Sequence, residues 1–178
     1  NAAHEILAQW EAQGILDFLV TQNIDGLHRA AGSKKLAEFH GAMDEVICLH
    51  CGKRMPAQKA ILASIPPSCP DCGGLFKPDF VFFGEGIPPQ AFAAAFGAVE
   101  RADVCLVVGS TGTVYPAASI PLAVKDHGGT LIEVDPGETE FSPLAAVHLR
   151  CGAAEALTSI DKVLQKEFPR LRSANQSR

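Results

Sequence analysis

Two cysteine pairs constrain this chain more than any other feature. Cys48-x2-Cys51 is followed, after 17 intervening residues, by Cys69-x2-Cys72. That is the spacing of a four-cysteine zinc ribbon. Each pair closes a tight knuckle that aims two thiolates at one ion, and Gly52, Gly73 and Gly74 supply backbone freedom for such knuckles. Four thiolates fill the tetrahedral shell of Zn2+ and leave no position for water or substrate, so the expected metal is structural. A redox dithiol and unrelated buried thiols are the competing readings; His50 lies between the ligands but is not needed among them. The surrounding stretch, Met43 to Pro78, holds five prolines and shows little sustained periodicity. A segment of that composition buries little core and needs a staple. Residues 43–78 are therefore expected to form a small zinc-binding module.

The rest of the chain has the texture of a larger, ordered body. Hydrophobic residues make up 47% of the 178 and charged residues 20%, enough to bury a core. Helical spacing is expected over Ala2 to Gln13, ended by Gly14, and a buried strand over Ile15 to Val20. Beyond the cysteine module, strands are expected at Phe80–Phe83, Val104–Val108, Leu131–Val134 and Val147–Arg150. Helices are expected at Gln90–Arg101, Ala117–Lys125 and Glu155–Phe168, followed by a polar tail from Pro169 to Arg178. Strands alternating with helices of this length imply an α/β fold, a parallel sheet with helices on its faces. The expected organisation is one body from residues 1–42 and 79–178, with the module of residues 43–78 inserted.

Several function classes fall away on composition. No apolar stretch reaches the ~18 residues that a membrane span needs. His4 and Glu5 precede any apolar run and no basic region comes before it, so no signal peptide is expected at Asn1. A balance of 15 Lys and Arg against 20 Asp and Glu, net −5, argues against electrostatic capture of nucleic acid. The module carries Lys53, Arg54, Lys59 and Lys77 but no interleaved aromatic platform. Cysteines in metal-type pairs rather than a disulfide framework point to a reducing compartment, and a cytoplasmic location is expected.

In open parallel sheets ligands sit at the carboxyl ends of the strands. Those ends here read Gln22-Asn23-Ile24-Asp25, Gly109-Ser110-Thr111-Gly112-Thr113, Glu133-Val134-Asp135 and Cys151-Gly152. Hydroxyls and free backbone N–H groups suit phosphate, and an acid suits ribose hydroxyls. His40, at the junction with the cysteine module, is either a general base or an ordinary packed histidine, and His28 is equally ambiguous.

The segments TQNIDGLH (Thr21–His28), HG (His40-Gly41), the two cysteine pairs, KPDFVFFGE (Lys77–Glu85) and GSTGTVYPAA (Gly109–Ala118) follow one another in that order. In order and spacing, from about Asn1 to Leu157, the chain resembles the sirtuins, NAD-dependent protein-lysine deacylases. The resemblance implies a Rossmann-like sheet, NAD and Zn2+ as cofactors, and an acyl-lysine protein or peptide as substrate. It implies that His40 is the base that draws a proton from the nicotinamide ribose, so that a ribose hydroxyl attacks the imidate formed from the acyl-lysine. Gln22, Asn23, Ile24 and Asp25 would line the ribose and nicotinamide pocket. Gly109, Ser110 and Thr111 would contact the cofactor, Asp135 would face the adenosine ribose, and Cys151 would lie at the adenine end. Val81, Phe82, Phe83, Gly84 and Glu85, with Val114 and Tyr115, would clasp the substrate peptide as an added strand.

The chain departs from that pattern in two ways. Asp135 stands where the family usually has asparagine, a tolerable change because an acid also accepts from ribose hydroxyls. No glycine-rich GAGxSxxSGIPxFR loop, which embraces the pyrophosphate in the family, occurs before His4. The expectation from that difference is an amino-terminally truncated chain. Its alternative function would be that of a non-catalytic remnant, a zinc-stapled peptide-binding protein without turnover.

Overall fold

The chain opens on helix α1 (Ala2–Ala12), close to the expected span, and α1 packs on the closing helix α5 (Ala153–Glu167). In this computed structural model residues 1–57 and 65–168 are described; the tail from residue 169 and Lys59 lie outside them. Trp10 and Leu157 meet at the centre of the α1–α5 contact, Leu157 fully buried. Burying an indole leaves its one N–H to satisfy, and Trp10 Nε1 donates to Asp161 Oδ1 at 2.9 Å.

Strand β1 (Leu19–Thr21) is shorter and later than the expected Ile15–Val20. Ile15 and Leu16 donate their N–H groups to the Trp10 carbonyl and pack into the α1–α5 core. The first half of that apolar run therefore closes a helix end instead of entering a ladder. After the short helix α2 (Leu27–Ala31), β2 (Leu36–Glu38) pairs with β1 in parallel, a strand absent from the sequence expectations.

Strands β3 (Gly41–Cys48), β4 (Arg54–Pro56) and β5 (Phe76–Phe80) form an antiparallel sheet in the order β4-β3-β5. They surround a separate small core of Val46, Cys48, Cys69 and Phe76. An irregularity in the β3–β5 register between Gly41 and Val46 breaks strict alternation, which hid β3 from a search for period two. The expected strand Phe80–Phe83 is corrected to Phe76–Phe80. Beyond it Phe83 is fully exposed and Phe82 half exposed against the Phe80 ring, and their apolar run was not a sign of burial in a strand.

The larger body follows with α3 (Pro89–Val99), β6 (Val104–Val108), α4 (Ser119–Asp126), β7 (Thr130–Val134) and β8 (Val147–Leu149). β6, β7 and β8 pair in parallel, with Glu133 directly opposite Val107 on one side and His148 on the other. Successive β6 residues face opposite ways: Leu106 enters the α1–α5 core, while Cys105 and Val107 face the α3 and α4 side. Helices thus cover both faces, as expected. Among the described residues, however, the parallel strands form two ladders rather than one, β1–β2 and β6–β7–β8. Side chains link them: Phe18, Val20, Ala37 and the fully buried Phe39 share one cluster with Cys105.

Leu157→Ala is expected to destabilise the fold by about 2–5 kcal/mol, because a large side chain leaves a closed core. Val163→Ala, on the exposed side of the same helix, should stay within about 0.5 kcal/mol. Urea unfolding of the two variants checks the difference.

Candidate active site and metal centre

The ends of β1 and β6 converge. Gln22, one residue past β1, lies with its Nε2 3.4 Å from the Ser110 hydroxyl beyond β6. The next turn is held by its own side chains: the Asn23 N–H donates to Thr21 Oγ1, and Asp25 Oδ1 accepts from the Leu27 N–H. The Ile24 carbonyl accepts from the Met43 N–H, fastening this turn to β3.

His40 occupies the crossing point between the two sheets. Its neighbour Phe39 is fully buried and donates its N–H to the Thr21 carbonyl. The His40 carbonyl accepts from the Val81 N–H, and Nδ1 lies 3.1 Å from the Gln22 carbonyl oxygen. A carbonyl can only accept, so Nδ1 carries the proton in this contact and the lone pair of a neutral ring sits on Nε2. Gly41 makes the crossing possible. Its φ is +76°, and a Cβ there would stand 2.9 Å from the Phe80 Cα.

The other expected residues divide into those tied to this edge and those apart from it. The Gly109 N–H donates to the Val134 carbonyl, and the Thr111 and Thr113 hydroxyls lie 2.8 Å apart. Asp135 closes a turn, its Oδ1 accepting from the Gly137 N–H at 2.8 Å. Cys151 donates its N–H to the Leu149 carbonyl. Glu85 braces the exposed aromatic loop from within: its carboxylate accepts from the Phe82 N–H and from Lys77 Nζ. Lys77, chiefly, and then the Phe82 N–H hold the Glu85 carboxyl below the usual carboxylate range. Val114 and Tyr115 are exposed, and no hydrogen bond among the described residues joins them to residues 81–85.

Known proteins resemble this chain in sequence and in fold. Residues 1–116 match the Sir2 family. The chain belongs to that family. An NAD-dependent protein deacylase of Aeropyrum pernix is 40% identical over 164 residues, which are 92% of this chain and 66% of that protein. A solved Sir2 structure with a p53 peptide and NAD+ superposes with a TM-score of 0.86 at 38% identity, covering 96% of this chain and 70% of that one. A mutant Sir2 homologue in complex with 2′-O-acetyl ADP ribose gives a TM-score of 0.89 at 41% identity, covering 94% and 67%. This Sir2 chain thus spans about two thirds of the length of the relatives it matches.

The cysteine module of this Sir2 protein has the chemistry of a closed zinc site. The four sulfurs of Cys48, Cys51, Cys69 and Cys72 all lie within 4.8 Å of one another. N–H groups converge on them. The Cys51 N–H, above all, helped by that of His50, brings the Cys48 thiol down to about 6 against the cost of burial. The Gly74 N–H favours a Cys72 thiolate, but neighbouring sulfurs and burial outweigh it and push that thiol up to about 12. Thiolates crowded in this way are relieved by a cation. Gly74 leaves the room: a Cβ there would lie 2.7 Å from the His50 Cβ and 3.0 Å from the Cys48 sulfur.

Two clusters escaped the sequence reading. Arg29 reaches Glu38 and both oxygens of Asp44, bridging α2, β2 and β3, and no local pattern announces such a contact. Glu133, 1% exposed, meets Thr139 and His148 behind the Asp135 turn. Its signal was legible, since an acid occupies an inward position of the apolar run Leu131–Val134.

Cys69→Ala should abolish zinc retention and collapse the module, because such sites contribute roughly 10–16 kcal/mol when their folding is linked to metal. Gly74→Ala should weaken zinc in the same direction without removing a ligand. Metal content and melting temperature measured on one sample check both; loss of metal at an unchanged melting temperature would contradict the structural role.

Proposed function

We propose that this Sir2 protein removes acyl groups from protein lysines in an NAD-dependent reaction, transferring the acyl group to ADP-ribose and releasing nicotinamide. The observation that carries the proposal is the His40 geometry, with Nδ1 engaged by the Gln22 carbonyl and Nε2 left to take a proton beside the Gln22–Asp25 turn. The names of the relatives, and the NAD+ and acetyl ADP ribose in the related structures, support the same reading.

NAD, when bound, supplies the ribose that accepts the acyl group and the nicotinamide that leaves. The residues of this chain are proposed to serve that exchange as follows. His40 Nε2 takes the proton of a ribose hydroxyl, a task suited to imidazole near neutral pH. Gln22, Asn23, Ile24 and Asp25 shape the nicotinamide and ribose end, while Gly109, Ser110 and Thr111 bind the cofactor beyond β6. The Asp135 oxygen not used by Gly137 accepts from the adenosine ribose, with Cys151 toward the adenine. Residues 81–85 and Val114–Tyr115 hold an acyl-lysine peptide. The exposed rings of Phe83 and Tyr115 suit contact with an extended segment, for which added-strand backbone hydrogen bonds would give affinity.

The body of residues 1–42 and 79–178 is proposed to carry NAD, and residues 43–78 to hold Zn2+, Cys48, Cys51, Cys69 and Cys72 being its ligands. A cytoplasmic location is proposed because none of the six cysteines is in a disulfide. No helix among the described residues is long and apolar enough to cross a membrane.

His40→Ala in the full-length protein should lower turnover of an acetylated peptide by ~10²- to 10⁴-fold, with a much smaller effect on NAD binding. Steady-state kinetics together with calorimetry check this. Near wild-type turnover would reduce His40 to a packing role.

A further inference from the structure

We propose that Glu133, Thr139 and His148 form a clamp around the buried Glu133 carboxyl that orients the Asp135–Gly137 turn, with His148 a positioning residue for the Asp135 carboxylate. The proposal rests on the reading that Asp135 faces the cofactor ribose. The three residues come from different segments, β7, the following loop and β8, and Glu133 and His148 are direct partners across the β7–β8 ladder. Such partners on one face of a sheet have adjoining side chains.

The hydrogen bonds give the cluster a direction. His148 Nε2 donates to the Asp135 carbonyl at 2.9 Å, which fixes the proton on that nitrogen. Nδ1 of the same ring lies 3.5 Å from Glu133 Oε2, an oxygen that has no other partner and is shut off from solvent. That contact closes when one proton lies between carboxylate and imidazole, whichever of them carries it. The other oxygen, Oε1, accepts from the Thr139 hydroxyl, which in turn accepts from the Phe141 N–H. The ring thus grips the turn at the Asp135 backbone, and the carboxylate grips its far end at Thr139.

A buried carboxyl is costly unless each oxygen is engaged, so Glu133 is stable here only while the turn stays in place. The turn is also tied by the Asp135 N–H, which donates to the Leu149 carbonyl at 3.2 Å, and by the Arg150–Glu138 pair, more than half exposed on both sides. Exposed pairs of that kind contribute little. Asp135, Glu138, Glu140 and Arg150 are the charged residues within two positions of the clamp in sequence, and the buried Glu133 with its two partners holds the geometry.

The test uses the full-length protein and reads two properties. H148A, and H148F, which keeps a ring but no nitrogen, should raise the KM for NAD by about tenfold, the scale of one lost charge-assisted hydrogen bond. kcat at saturating NAD should stay within about twofold, as it does when ground state and transition state lose the same binding. Both variants should speed hydrogen exchange at the Gly137 amide. E133A should behave like them, and E133Q should restore most of the affinity, because its amide donates to Nδ1 and accepts from Thr139. Unchanged Gly137 exchange and unchanged KM in H148F would overturn the clamp. Faster Gly137 exchange with unchanged KM in both H148F and D135A would instead overturn the ribose reading, and with it the clamp's role in cofactor binding.

Discussion

The contact on which the rest of the site depends is the hydrogen bond from His40 Nδ1 to the Gln22 carbonyl. It fixes which nitrogen of the ring is free, and it joins the end of β1 to the start of β3. Everything around it serves that alignment. Phe39 anchors one side in the core between the parallel strands and α3. On the other side Gly41 lets β3 come against β5 at a distance no side chain would permit. The His40 backbone in turn holds Val81, the first residue of the exposed aromatic loop. One residue therefore sets the relation between the proposed base, the nicotinamide turn and the peptide loop.

The zinc module acts on this arrangement from a distance. Its four sulfurs close the far end of the β4-β3-β5 sheet, and the near end of β3 and β5 carries Gly41 and Phe80. A small core of four buried residues is unlike the body's interior in extent, and the metal supplies cohesion that the side chains do not. Four thiolates leave a bound metal no position for water or substrate, so the module is proposed to brace the strands from which His40 and the 81–85 loop emerge.

Much of this was legible in the sequence, because the signals were local. The cysteine spacing, the helices α1, α3, α4 and α5, and the strands β6, β7 and β8 were read within a residue or two of their spans. What escaped depended on partners distant in the chain. β2 is three residues long and is defined by β1 rather than by its own pattern. β3 was obscured by its irregular register, and the apolar runs at Ile15 and Phe82 had roles other than strand formation. A single parallel sheet was expected, and the side-chain junction between two ladders is a tertiary fact that no periodicity encodes. The Glu133–Thr139–His148 cluster lies between these cases, with one buried acid visible in the sequence and its partners not.

The central claim is that acyl removal and NAD cleavage are one reaction. Its most direct measure is product accounting: full-length protein, an acetyl-lysine peptide and NAD are incubated together, and all products are quantified by mass spectrometry. The account predicts nicotinamide, deacetylated peptide and O-acetyl-ADP-ribose in equal amounts. Free acetate formed without consumption of NAD would contradict it.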